Sequence, residues 1–184
     1  MIPPVVSVEW LADHPEVVLV DVRWYLDGRS GRDAYLAGHI PGAAFLNLDK
    51  YLAAPPAPRL GRHPLPTPKR FAKGLRRAGV SDDSVVIAYD DAGGSVAARV
   101  VWLLRMVGVD SAVLDGGLAA WKGPLETGRV EREPGDFTPH KWVREGLATI
   151  DDATTHPHVI DSRAPERYRG ETEPIDPRAG HIPG

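Results

Sequence analysis

The feature that most constrains this chain is that it repeats itself. Val18-Leu19-Val20-Asp21-Val22-Arg23 returns as His158-Val159-Ile160-Asp161-Ser162-Arg163. Gly38-His39-Ile40-Pro41-Gly42 returns letter for letter as Gly180-His181-Ile182-Pro183-Gly184. The first pair lies 140 positions apart and the second 142. Two motifs in the same order at nearly one offset imply a duplicated unit of that length, far longer than the ~20–50 residues of a solenoid repeat. The expected organisation is a first unit over 1–128, a linker over 129–146, and the N-terminal part of a second unit over 147–184, truncated at its pentapeptide.

Inside the first unit, strand and helix patterns alternate. Val17 to Val22 is a short, nearly continuous apolar run, as a strand buried on both faces requires. Arg32 to Ala37 reads as a short helix stopped by Gly38. Thr67-Pro68 supplies an N-cap and a first-turn proline, and Phe71, Leu75 and Ala78 then fall on one helical face. Val85 to Tyr89 is the strongest strand. Ser95 is placed to cap the next helix, whose stripe is Val96, Val100, Leu103, Leu104 and Val107. Val113-Leu114 is a third strand, and Gly116-Gly117 opens a helix reaching Trp121. Strands separated by helices predict an α/β fold, with a central, mainly parallel sheet and helices on both faces. The proline-rich stretch from Ala53 to Pro68 reads as a long surface loop, and Arg129 to Lys141 as unstructured connection.

Composition narrows the function. A net charge of -3 and a pI near 6.2 give no pull toward nucleic acid or an anionic membrane. No apolar run approaches the roughly 20 residues of a membrane span, and the first residues show no signal stretch, so a cytoplasmic protein is expected. The chain has no cysteine, which removes disulfides, thiolate metal sites and a thiol nucleophile from these residues. No His, Asp and Glu group has metal-ligand spacing, and no metal or cofactor is expected.

Two constellations could carry chemistry. The turn Asp90-Asp91-Ala92-Gly93-Gly94-Ser95 joins a strand to a helix, where converging amides and the helix dipole favour an anion. Asp90 and Asp91 would fill such a cradle with their own charge and repel an incoming anion. The second is Asp161 to Tyr168, where Arg167 could fork onto a sulfonate or carboxylate, or pair with Glu166 or Asp161 at the surface. Asp21 and Arg23 read as structural, and His39 and His181 as turn formers bonded to backbone. Lys69, Arg70, Lys73, Arg76 and Arg77 read as a solvated basic face, and Trp10, Trp102 and Trp121 as packing residues.

Taken together, the Asp-x-Arg strand, the Gly-His-Ile-Pro-Gly turn, the Tyr89-Asp90 loop, the Arg99 to Arg105 helix and Leu114-Asp115-Gly116-Gly117 with Trp121 resemble the tandem-domain rhodaneses, the thiosulfate and 3-mercaptopyruvate sulfurtransferases. The resemblance implies a rhodanese-like fold that occurs twice, the second copy being incomplete here. It implies an aspartate, Asp90, at the nucleophile position of the first copy, and a catalytic cysteine in the second copy near position 232, outside this chain. Arg167 matches the family arginine that contacts the anionic donor. The implied reaction moves sulfane sulfur from thiosulfate or 3-mercaptopyruvate to cyanide or another thiophile through a cysteine persulfide. The chain alone is expected to be inactive, with a non-catalytic binding or scaffolding module as the alternative. The expected partner of the complete protein is the small anionic donor; the unfinished second unit is expected to dimerise with a second copy, to pack irregularly on the first unit or to be disordered.

Overall fold

The computed structural model describes residues 1–57, 60–149, 151–174, 176 and 178–182. The chain divides into two compact units, Met1–Trp142 and Val143–Gly184.

The first unit is built on a five-stranded sheet: β1 (Val5–Val6), β2 (Val18–Asp21), β3 (Ala44–Phe45), β4 (Val86–Tyr89) and β5 (Ser111–Leu114). Spatial order is β1-β5-β4-β2-β3, and all four pairings are parallel. In the central pairing Val18 lies opposite Val86, and Asp21 opposite Tyr89. Both central strands are buried along their length, which is why their sequences are runs rather than alternations.

Helices cover both faces. Side chains alternate across β2, so Val18, Val20 and Val22 join one core with α3 (Pro68–Arg77) and α4 (Ala97–Met106), while Leu19 joins a second core. The second core also holds Leu11 of α1 (Val8–Ala12) and, partly buried, Leu118 of α5 (Gly117–Ala120). The seven-residue α2 (Gly31–Ala37) is capped by Ser30, and Thr67 caps α3 as its position before Pro68 predicts.

Three expectations change. Ser95 makes no cap: α4 begins at Ala97 without a side-chain cap on Val96, and Asp90 takes the cap's place. Trp102 is not a packing residue; it is 45% exposed on the outer side of α4, whereas Trp10 stacks on His14 and Trp121 flanks the second core. The stretch expected as linker over 129–146 is, through Trp142, a strap on the first unit. Phe137 is buried there in the α3–α4 core beside Phe71, and Trp142 packs on Phe71. The strap lacks periodicity because its backbone is held by side chains: Arg76 donates to the Phe137 carbonyl at 2.7 Å, Asp82 accepts from Thr138, and Trp142 donates to the Pro66 carbonyl. The proline-rich loop is likewise pinned. Half-buried Arg99 donates to the carbonyls of Leu52, His63 and Pro64; Pro58 and Arg59 lie outside the described residues.

The second unit has 3-10 turns at Arg144–Gly146 and Asp152–Thr154 and one short helix, α6 (Pro165–Tyr168). The repeat of the β2 sequence at 158–163 forms no strand. Ile160 is 88% exposed, whereas its counterpart Val20 is fully buried. In the first unit β2 is sandwiched between β4 and β3; the described residues of the second unit hold no strand to pair with, so the ladder has no partner.

Candidate functional site

Asp90 follows β4 directly and is completely buried. Its Oδ1 accepts the amides of Ala92 and Gly94 at 2.9 and 2.8 Å, and its Oδ2 those of Val96 and Ala97 at 2.8 and 2.9 Å. Four backbone donors thus converge on one carboxylate at the start of α4, where the helix dipole adds positive potential. Gly93 and Gly94, at φ +67° and +85°, turn the loop so that its amides face inward. Gly117 closes the base of the site: at φ +53°, any side chain there would run into the Asp90 carbonyl, which also accepts from the Leu118 amide at 2.9 Å. Asp91, by contrast, faces outward and accepts from the Tyr25 hydroxyl at 2.6 Å.

The Asp-x-Arg motif is a buried clamp. Arg23 forks onto the Asp21 carboxylate, with Nη2 to Oδ2 at 2.7 Å, and reaches the Gly38 carbonyl at 2.6 Å. Burial works against the Arg23 charge, but Asp21 outweighs it and holds the guanidinium above its ordinary range. Tyr89 lies in the same core; burial and then the Asp21 charge push its phenol far up, so it stays a neutral acceptor for the Ile40 amide. His39 Nδ1 sits 2.9 Å from the Tyr35 carbonyl with the two rings stacked, as a turn former should. Its Nε2 is buried without a hydrogen bond among the described residues, 3.7 Å from Glu126.

The second unit repeats these clamps without the strand. Arg163 forks onto Asp161 and reaches the Gly180 carbonyl at 2.7 Å. These bonds hold the Asp161 carboxyl down at about 2. His181 Nδ1 lies 2.8 Å from the Tyr168 carbonyl, again with stacked rings. Pro183 and Gly184 of the repeated pentapeptide lie outside the described residues. Arg167 pairs with neither Glu166 nor Asp161. It forks onto Glu173, at 2.7 and 3.2 Å, and touches Asp176 at 3.0 Å. The fork is the geometry that a donor's carboxylate or sulfonate would need. Asp90 and Arg167 stand in different units.

Sequence reasoning missed a third cluster, in the pinned loop. His63 Nε2 lies 3.6 Å from Asp49, whose other oxygen accepts from the Trp24 indole at 3.0 Å, and the Trp24 and His63 rings meet edge-on. Burial lowers the His63 pKa, against a smaller opposing pull from Asp49. Burial therefore favours the neutral imidazole. Its two partners are 14 and 39 positions away in sequence, a separation that no local pattern reveals.

The strand order, the capped Asp90 loop and the repeated clamp can be compared with known proteins. Residues 7–124 match the model of the rhodanese-like domain. The chain belongs to the rhodanese family. It is 44% identical over 181 residues to a Pseudomonas aeruginosa protein described as a probable 3-mercaptopyruvate sulfurtransferase, covering 92% of this chain and 64% of that one. It is 40% identical over 177 residues to Mycobacterium tuberculosis SseB, provisionally described as a thiosulfate sulfurtransferase, covering 91% and 62%. The chain thus spans somewhat under two thirds of the length of these rhodanese relatives. The crystal structure of SseA from Escherichia coli superposes with a TM-score of 0.83 at 34% identity, covering all of this chain and 73% of that one. Among the described residues of this rhodanese no helix is long and apolar enough to cross a membrane, and no cluster of three potential ligands could hold a metal ion.

Proposed function

We propose that this rhodanese serves a sulfurtransferase that moves sulfane sulfur from thiosulfate or 3-mercaptopyruvate to cyanide or another thiophile. In that reaction a thiolate attacks the outer sulfur of the donor. The donor's bond to that sulfur breaks, its remainder leaves with the electron pair, and a persulfide forms. Cyanide then takes the outer sulfur and the thiolate returns. The observation that supports the reading is the amide cradle behind β4, the kind of site that lowers a thiol pKa. Here Asp90 fills it, so the first unit serves as the non-catalytic partner, and the thiol must come from outside these 184 cysteine-free residues. Arg167 would hold the donor's anionic group by exchanging Glu173 and Asp176 for it.

The filled cradle also favours a second reading, a rhodanese module that binds or scaffolds without catalysis. Sulfur transfer to cyanide should be measured with the chain as given and with the product of any longer reading frame. The sulfurtransferase reading expects no turnover from the first, and turnover from a product carrying a cysteine near position 232, 142 residues beyond Asp90. Turnover by the cysteine-free chain would overturn it, and a longer product without that cysteine would favour the module.

A further inference from the structure

The arginines of the first unit divide into two groups. Arg23 and Arg29 pair with carboxylates; Arg70, Arg76, Arg99, Arg105 and Arg132 donate to backbone carbonyls; Arg62 has partners of its own. Of the described arginines of the first unit, only Arg32, Arg77 and Arg129 have side chains with no ion pair or hydrogen bond, and all three line one cavity of about 720 Å³. That volume falls within the range of small-molecule sites.

The cavity is assembled from four separate segments. Arg32 comes from the first turn of α2, Lys50 from the turn Leu48–Leu52, Arg77 from the end of α3, and Arg129 and Arg132 from the strap. Tyr35 fixes the strap against α2, because its hydroxyl accepts the Val130 amide at 3.1 Å and donates to the Ala43 carbonyl at 2.8 Å. Arg132 adds a second anchor, donating to the Gly42 carbonyl at 2.7 Å without losing its charge. Glu131 and Glu133 also line the cavity yet pair with none of these cations. Five cations against two carboxylates leave an excess of three positive charges, in a chain whose net charge is -3. A planar guanidinium left without a partner retains five donors shaped for bidentate oxyanions.

We propose that this cavity, beside the edge strand β3, is a binding site for a small polyanion carrying two or more phosphate groups. The site shares neither the Asp90 loop nor Arg167, so it stands apart from the sulfur-transfer reading. Titration calorimetry of the full chain with inorganic tripolyphosphate tests it. Saturable one-site binding is expected, weakening as salt rises. Each of Arg32→Gln, Arg77→Gln and Arg129→Gln should weaken it about tenfold, the loss of one charge-assisted contact. All three side chains are exposed, so an unchanged thermal midpoint confirms that these variants fold. Lys69→Gln with Lys73→Gln removes two charges from α3 outside the cavity and should leave binding intact. Tighter binding of ADP than of pyrophosphate would identify a nucleotide as the source of the phosphates, and equal binding the phosphates alone. No binding at millimolar tripolyphosphate, or an equal loss in the lysine pair, would overturn the proposal.

Discussion

Asp90 shows how one side chain can decide what a loop does. A serine before an apolar helical stripe reads as a cap, but a carboxylate five positions earlier offers two oxygens and reaches four amides. The position was legible from the glycines around it; the span of the cap was not, since it depends on the folded path of the loop. Asp90→Asn would turn a donor toward amides that now share one oxygen. It should cost about 3 kcal/mol, the value of losing charge-assisted bonds at a buried site. For a unit of this size that lowers the melting temperature by roughly 6–12 °C in a thermal scan. Arg167 teaches the complementary lesson. Its type and place were readable, but its partners Glu173 and Asp176 lie beyond the end of α6, past the reach of helical spacing.

At the scale of elements, legibility followed length. The runs forming β2 and β4 and the stripes of α3 and α4 announce themselves because each buries several residues in register. The edge strands β1 and β3 are two residues each, too short for any period to show. The strap was hidden for another reason: Phe137 anchors it by packing, while side chains from α3 and the turn after it satisfy its backbone. Phe137→Ala should therefore destabilise the first unit by about 3–5 kcal/mol in denaturant unfolding. A conserved fold with a smaller loss would show that the strap is not part of the core. The strap should also respond to acid. Hydrogen bonds from Thr138, first from its hydroxyl and then from its amide, hold the Asp82 carboxyl below its ordinary range. A carboxylate depressed in the folded state stabilises above its unfolded pKa, and that contribution is lost as pH falls through the folded value. Hydrogen exchange in 136–142 should therefore accelerate below about pH 4 before the β2 amides do.

Across the whole molecule, the repeated motifs are legible in sequence and keep their local geometry, yet their surroundings differ. The Asp-x-Arg clamp and the stacked Tyr–His turn recur in both units. The sheet does not recur, because side-chain clamps are satisfied locally whereas a strand needs neighbours. Amides of 159–162 should exchange as unprotected chain while those of 18–21 exchange slowly; equal protection would contradict the unpaired state of the second unit. Behind β4 four amides converge as an anion cradle would, and the first unit fills it with its own aspartate. The most direct test is to replace the occupant, Asp90→Cys, and titrate the thiol by its thiolate absorbance. Four converging amides and the α4 dipole predict a pKa at least one unit below the ordinary value of about 8.5. A pKa at or above about 8.5 would show that burial outweighs the amides and that no such cradle exists.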